Sequence, residues 1–340
     1  MTTLLTGGGG FVGINLVEQL VAEGEHVVVF DLQFPAAAKE VIARHHSKVE
    51  IVTGDVRDRG GLDALFSKFD IKLVVHAAVI TSNAAREARD PNEIVEVNVL
   101  GALSVLRHAQ AANCERVVYV SSGQAYGKTH DEGVRLHEEI SPSRPEDVYG
   151  ITKFTAEQIA LRLGELWKLH VVCVRLGSVF GPWEFGTGVR DLLSPFLQTA
   201  ELAVLGKTAV IPAAEVRRDW IYSRDVAAGI SAALRGKSLQ HRLYHLASGM
   251  DWRGSFPEWC DTLRQAYPRF SWRTAGRGEQ PNVSFFLARG RAPMDITRAT
   301  EDFHFSPRFG PSTAFLDYVE WIRKHEDFIA NARALHDARA

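Results

Sequence analysis

Residues 3–13 read TLLTGGGGFVG, and the rest of the chain takes its meaning from this stretch. A short apolar run ends at Gly7–Gly10, and an amphipathic segment begins at once. The glycines fit both Gly8-x-Gly10-x-x-Gly13 and Thr6-Gly7-x-x-Gly10-x-x-Gly13. Without side chains, backbone amides there can approach a pyrophosphate, and the following helix turns its positive N-terminal end toward it. A glycine pattern alone is a weak signal, because a plain tight turn uses the same residues. Here it opens FVGINLVEQLVAEG, in which Ile14, Val17, Leu20 and Val21 share a helical face and Gly24 marks the stop. HVVVFD then ends on Asp31, at the roughly 20-residue distance where a dinucleotide fold carries its ribose-binding acid.

An acid at Asp31 can accept hydrogen bonds from both adenosine ribose hydroxyls and repels a 2′-phosphate, so the pattern predicts NAD rather than NADP. Outward from this unit the rhythm repeats. VEIVTGD, KLVVHAA, RVVYVSS and VVCVRL read as further strands. Ile94, Val97, Leu100, Leu103 and Leu106 hold helical spacing across 91–112, and a helix from Tyr149 runs to about Trp167. This alternation predicts an α/β fold: a doubly wound (Rossmann) parallel sheet with helices on both faces. After Leu176 the pattern breaks into Gly, Pro, Trp and Arg. The expected division is an NAD-binding domain from 1–177 and 216–246, and a smaller discontinuous C-terminal substrate domain from 178–215 and 247–310. A C-terminal helix and tail follow at 311–340.

The chain has 340 residues, 46% hydrophobic and 24% charged, with a net charge of −2, which is ordinary globular composition. No basic block points to nucleic acid, and no apolar run approaches the ~20 residues of a membrane span. Cys114, Cys173 and Cys260 are too scattered for a disulfide framework or a zinc site, and the histidines lack ligand spacing, so no metal is expected. The start lacks the features of a secretion signal, and a reducing cytoplasm is the expected compartment.

VYGITK at 148–153 stacks Tyr149 and Lys153 on one helical face. The six residues fit a solvated pair as well as a tyrosine kept beside an ammonium. The chain resembles the extended short-chain dehydrogenases/reductases of the NAD-dependent epimerase/dehydratase group. The motifs are TGGGGFVG (6–13), Asp31, GDVRD (54–58), HAA (76–78), Asn98, VSSGQAYG (120–127), YGITK (149–153), RLGSVFGP (175–182) and RRDWIY (217–222), with a weaker RAPMDITRA (291–299).

The resemblance implies that Tyr149 exchanges the proton of a reacting hydroxyl, Ser122 hydrogen-bonds the same oxygen, and Lys153 holds the nicotinamide ribose. Lys153 and the nicotinamide ring are expected to lower the tyrosine pKa from about 10 by ~1–3 units. Cofactor contacts are implied at Gly7, Gly10, Phe11, Val12, Gly13, Asp31, Asp55, Val56, Ala77, Ala78, Asn98, Tyr149, Lys153, Leu176 and Val179. Asp55 and Val56 would frame adenine, and Asn98 would brace the backbone near the reacting groups. His76 reads as a structural histidine. Substrate contacts are implied at Ser122, Gln124, Ser178, Arg218 and Arg291, although Arg218 and Asp219 equally suit a structural ion pair.

Two departures narrow the chemistry. Ser178 stands where sugar-nucleotide enzymes of the group usually place asparagine. Gly123-Gln124 replaces the acid pair of 4,6-dehydratases, so elimination of water lacks its proton handlers. The resulting expectation is an NAD-dependent oxidoreductase acting on a hydroxyl or keto carbon of a sugar or sugar-derived substrate, with Arg190, Arg217 and Arg218 suggesting a sugar acid. The alternatives are a nucleotide-sugar 4-epimerase with tightly bound NAD and, from another class, a non-catalytic NAD-sensing regulator. A homodimer paired through 91–112 and 149–168 is expected.

Overall fold

The computed structural model describes residues 1–129, 134–186, 188–214, 217–285 and 290–332. The expected tail at 333–340 and positions 130–133, 187, 215, 216 and 286–289 of the expected domains lie outside the described residues. The first half runs β1 (Thr2–Thr6), α1 (Phe11–Ala22), β2 (His26–Asp31), α2 (Ala36–Arg44), β3 (Val49–Thr53), α3 (Arg59–Lys68) and β4 (Ile71–His76). Next come α4 (Ala84–Arg89), α5 (Pro91–Val95), a π-helical turn (Glu96–Gly101), α6 (Ala102–Ala111), β5 (Arg116–Ser122), α7 (Val148–Trp167) and β6 (Val171–Leu176). The remainder holds β7 (Ser178–Phe180), α8 (Pro195–Val204), β8 (Thr208–Ile211), β9 (Trp220–Tyr222), α9 (Ser223–Arg235) and β10 (Leu243–Leu246). It ends with α10 (Phe256–Ala266), β11 (Ser271–Thr274), α11 (Thr297–Phe303), α12 (Pro311–Lys324) and α13 (Glu326–Ala332).

Seven strands form one parallel sheet in the order β10-β6-β5-β4-β1-β2-β3. The strand order reverses between β1 and β4, and their carboxyl ends open the crevice typical of doubly wound sheets. Leu4 and Leu5 are both fully buried, in separate core clusters on opposite faces. That is why the strands read as continuous apolar runs rather than alternating ones. Beyond the six strands legible in the sequence, β10 pairs with β6 as a seventh at the sheet edge. β9, which opens an apparent βα unit, pairs instead with β7 in a separate two-stranded ribbon.

One further finding departs from the sequence reading. The segment 91–112 is not one helix, because the π-helical turn interrupts it. Gly101 closes that turn against Val56, whose Cγ2 would lie 2.6 Å from any added Cβ. The last helices join the body of the fold: α12 packs on α10 and α13 on α8. Trp183 meets Trp321 edge-on at 4.9 Å, and Trp259 stacks on Tyr318 at 5.3 Å. One apolar cluster therefore runs from Val17 and Leu20 of α1 to Trp321 of α12.

Candidate active site

A cavity of about 310 Å³ follows the carboxyl ends of the strands, with Gly10, Asp31, Asp55 and Arg57 at one end and Ser122, Tyr149, Arg218 and Arg291 at the other. At the first end the backbone does the shaping. Gly7 has φ +75°, and a Cβ there would lie 2.5 Å from the Ala78 amide nitrogen. A Cβ on Gly13 would meet the Gly7 carbonyl oxygen at 2.2 Å. The loop after β1, the end of β4 and the start of α1 thus touch through backbone alone. The Gly9 amide donates to Asp31 Oδ2 at 2.9 Å, closing the loop onto the end of β2. Burial raises the Asp31 carboxyl pKa, while the amides of Gly9, Gln33 and Leu32 pull against it.

Gly7, Gly10, Phe11, Val12, Gly13, Asp31, Asp55, Val56, Ala77, Ala78, Leu176 and Val179 all line the cavity. Asn98 lies outside this lining and braces the backbone, the other role expected of it. The π turn aims it across at the chain after β4, where Oδ1 accepts from the Ile80 amide at 2.8 Å. Its Nδ2 donates to the Ile80 carbonyl and to Thr152 Oγ1, each at 3.0 Å, so it ties that chain to α7. His76 is buried with Nδ1 2.7 Å from Thr6 Oγ1, and burial pushes its pKa down to about 3.

At the other end, Asp147 caps α7 by accepting from the Gly150 amide at 2.6 Å, which sets Tyr149 in the first turn beside the end of β5. Tyr149 lines the cavity together with Ser122 and Thr81, whose hydroxyls favour its ionised form. Lys153 is buried; its ammonium donates to the Val120 carbonyl and lies 4.3 Å from the Tyr119 ring centroid. Burial pulls the Lys153 pKa down to about 7. The protein alone does not lower the Tyr149 pKa, contrary to the expectation from its pairing with lysine. Burial raises it, opposed first by the Ser122 hydroxyl and then by Arg190, the leading cation favouring tyrosinate. Burial is the physical reason, and Lys153, whose ammonium donates to the β5 backbone, is not among the groups acting on the phenol.

Sequence reasoning missed Thr81 and assigned Arg190 no part beside the tyrosine. The Thr81 amide donates to the Val189 carbonyl at 2.7 Å, and the Asp191 amide donates back to Thr81 at 3.0 Å. This pairing carries Arg190 to the site, where Glu184 Oε1 holds its Nη2 at 2.7 Å and its guanidinium lies 5.1 Å from the Phe11 ring centroid. Only a contact between two distant loops reveals either residue. Gln124 donates to Asp147 Oδ2 and accepts from Arg291 Nη2, both at 2.5 Å, so its amide is taken at both ends.

Arg218 and Arg291 are both buried and line the cavity near Ser178. Burial and the neighbouring Arg291 pull Arg218 down to about 9, and burial brings Arg291 to about 10. Asp219 is filled by the Ser248 amide (2.8 Å), the Ser248 hydroxyl (2.6 Å) and the amides of Gly249 (3.1 Å) and Met294 (2.9 Å). Arg217 turns away to Asp251 Oδ2 at 3.0 Å and does not line the cavity. Among the described residues, no group of histidines, cysteines and acids is arranged to hold a metal, and no helix is long and apolar enough to cross a membrane.

Residues 3–247 match the NAD dependent epimerase/dehydratase family. The chain belongs to this family. A UDP-glucose 4-epimerase of Yersinia enterocolitica is 28% identical over 270 residues, covering 74% of this chain and 78% of that protein. Sterol demethylase protein B of Methylococcus capsulatus is 35% identical over 187 residues, 54% of this chain and 53% of that protein. The crystal structure of the Thermus thermophilus UDP-glucose 4-epimerase in complex with NAD superposes with a TM-score of 0.78 at 26% identity, covering 95% of this chain and 99% of that one. As a member, the protein is an NAD-dependent enzyme of the extended short-chain dehydrogenase/reductase kind, which removes the reading as a non-catalytic regulator. The glycine cradle, which any Cβ would fill, fits the cofactor.

Proposed function

We propose that the protein oxidises a hydroxyl-bearing carbon of an anionic, sugar-derived substrate. The observation that carries this reading is a single cavity lined by Ser122, Tyr149 and Lys153, the glycine cradle and two buried guanidiniums. The loop at Gly7–Gly13 and Asp31 would hold NAD, with Lys153 on its nicotinamide ribose; when bound, NAD supplies the hydride acceptor. Tyr149 takes the proton from the substrate hydroxyl, and Ser122 steadies the same oxygen. Arg190 and the Ser122 and Thr81 hydroxyls favour the tyrosinate that this step needs. Arg218 and Arg291 bind the substrate's carboxylate or phosphate, which a guanidinium grips through two parallel hydrogen bonds.

A screen of sugars, sugar acids and nucleotide sugars for NADH formation tests this. Accumulating NADH with a sugar acid is the expected outcome; none with any substrate would overturn it. The second reading, a nucleotide-sugar 4-epimerase, is favoured by the relatives that bear that name. It would interconvert UDP-glucose and UDP-galactose without NADH accumulating. The proposal extends to a homodimer, supported by the exposed apolar side chains Val95 and Leu100 beside α6 and Ile151 and Leu166 on α7. A monomer mass in light scattering at micromolar concentration would refute it. The proposed compartment is the cytoplasm, where the three buried free thiols would stay reduced.

A further inference from the structure

The end of the cavity that holds Asp31 also holds a cation, Arg57. The Gly54 amide donates to the Asp31 carbonyl at 2.9 Å, so residues 54–57 leave the sheet directly beside the acid. An arginine in this neighbourhood is what NADP-binding members of such folds use to receive the 2′-phosphate. Arg57 is not available for that task. Its Nη2 lies 2.6 Å from Asp55 Oδ2, and its Nε lies 3.0 Å from each Asp55 oxygen. On the opposite edge, its Nη1 lies 3.2 Å from Glu96 Oε2. The Arg57 backbone amide also donates to Asp55 Oδ1 at 2.8 Å, which fixes the aspartate over its own turn. One carboxylate is local; the other comes from the first residue of the π-helical turn, 39 positions on.

We propose that Asp55 and Glu96 form a clamp that withholds Arg57 from a 2′-phosphate, making it a second determinant of NAD preference beside Asp31. Charge and geometry both act in this direction. A guanidinium binds phosphate strongly when two of its N–H groups on one edge are free to face it. Here both edges face carboxylates, and Asp31 lines the same end of the cavity, so an added dianionic group meets net repulsion. Glu96 is the half of the clamp that can be removed cleanly, because its side chain is 50% exposed and Asp55 keeps its own turn without it.

The inference rests on reading this end as the adenosine site. Its test measures dissociation constants of NAD and NADP by tryptophan fluorescence titration for the wild type, Glu96→Gln, Asp31→Ala, Asp31→Ala/Glu96→Gln and the last with Arg57→Gln added. Glu96→Gln is expected to improve the NADP-to-NAD affinity ratio about threefold to fivefold on either background, the scale of a partly exposed ion pair. Adding Arg57→Gln should erase that gain. Melting temperatures near the wild type show that the variants are folded, with Glu96→Ser as a second way of opening the clamp. An unchanged ratio in both Glu96 variants, or a gain that survives Arg57→Gln, would overturn the proposal. If Asp31→Ala alone leaves the ratio unmoved, the reading of Asp31 fails instead, and the Glu96 comparison on the wild-type background still decides the clamp.

Discussion

The two ends of the cavity are built on opposite principles. The Asp31 end is made of backbone: after each of β1, β2, β3 and β4 a short segment turns a small residue or an acid toward the same space. The Tyr149 end is made of side chains drawn from separate parts of the chain: Ser122 from β5, Tyr149 from α7, Arg190 from the loop after β7, and Arg218 and Arg291 from later still. A backbone-built site tolerates most substitutions except at its glycines, because amides do not depend on the side chain they carry. A side-chain-built site is tunable residue by residue, and each buried cation in it needs compensation. Arg218, brought down to about 9 by burial, shows that burden.

The largest expected effect lies at the side-chain end. Tyr149→Phe keeps the ring but removes the proton acceptor, and turnover should fall by ~10²–10⁴ while NAD binding stays within a few-fold. Steady-state kinetics with a cofactor titration checks this, and a variant retaining most of its activity would remove Tyr149 from the chemistry. Gly7→Ala strikes the backbone end, where φ is +75° and the Cβ would sit 2.5 Å from Ala78 nitrogen. It should abolish measurable NAD binding, and a calorimetric titration like that of the wild type would show that the cradle is softer than its contacts imply. Arg218→Ala should raise the Michaelis constant for an anionic substrate by about 10–100-fold, the worth of a charge-assisted hydrogen bond, with little change in NAD affinity. Equal losses for both ligands would erase the division between the ends.

Two smaller effects concern pH. Because burial raises the Tyr149 pKa, oxidation should keep accelerating as pH rises above about 7, where an unperturbed phenol is still largely protonated. A profile flat through that range would mean the phenol ionises earlier than its surroundings allow. Away from the cavity, burial raises the Glu138 carboxyl from 4.5 to about 7. Its folded value lies above its unfolded one, so its stabilising contribution is complete below about pH 4.5 and is lost as pH rises through 7. Glu138→Gln should flatten that part of the melting-temperature profile, and an unchanged profile would assign the pH dependence elsewhere.

The difference between the ends also explains what could be read from the sequence. Strands buried on both faces announce themselves as apolar runs, and six of the seven were legible. β10 offers only LYHL, four residues with no turn signal of its own. The π turn leaves the apolar spacing of 91–112 almost intact, so periodicity could not show the turn that swings Asn98 toward Ile80. Arg217 and Arg218 are indistinguishable in a string of letters. On extended backbone, neighbouring side chains leave in opposite directions, and only the fold decides which one meets Asp251 and which faces the cavity. Thr81 and Arg190 depend on two loops meeting across roughly a hundred residues of chain, a closure whose entropic cost grows only slowly with length.

The unbroken apolar cluster from α1 to α12 bears on how the molecule comes apart. A protein whose layers each enclose a separate core can melt in stages and can be cut into pieces that survive alone. Here the sheet's cover and the C-terminal helices share one interior, so there is no seam along which heat or a protease could part them. Calorimetry should record one transition, and a fragment ending at Leu176 would face water with Val17, Leu20 and their neighbours and precipitate.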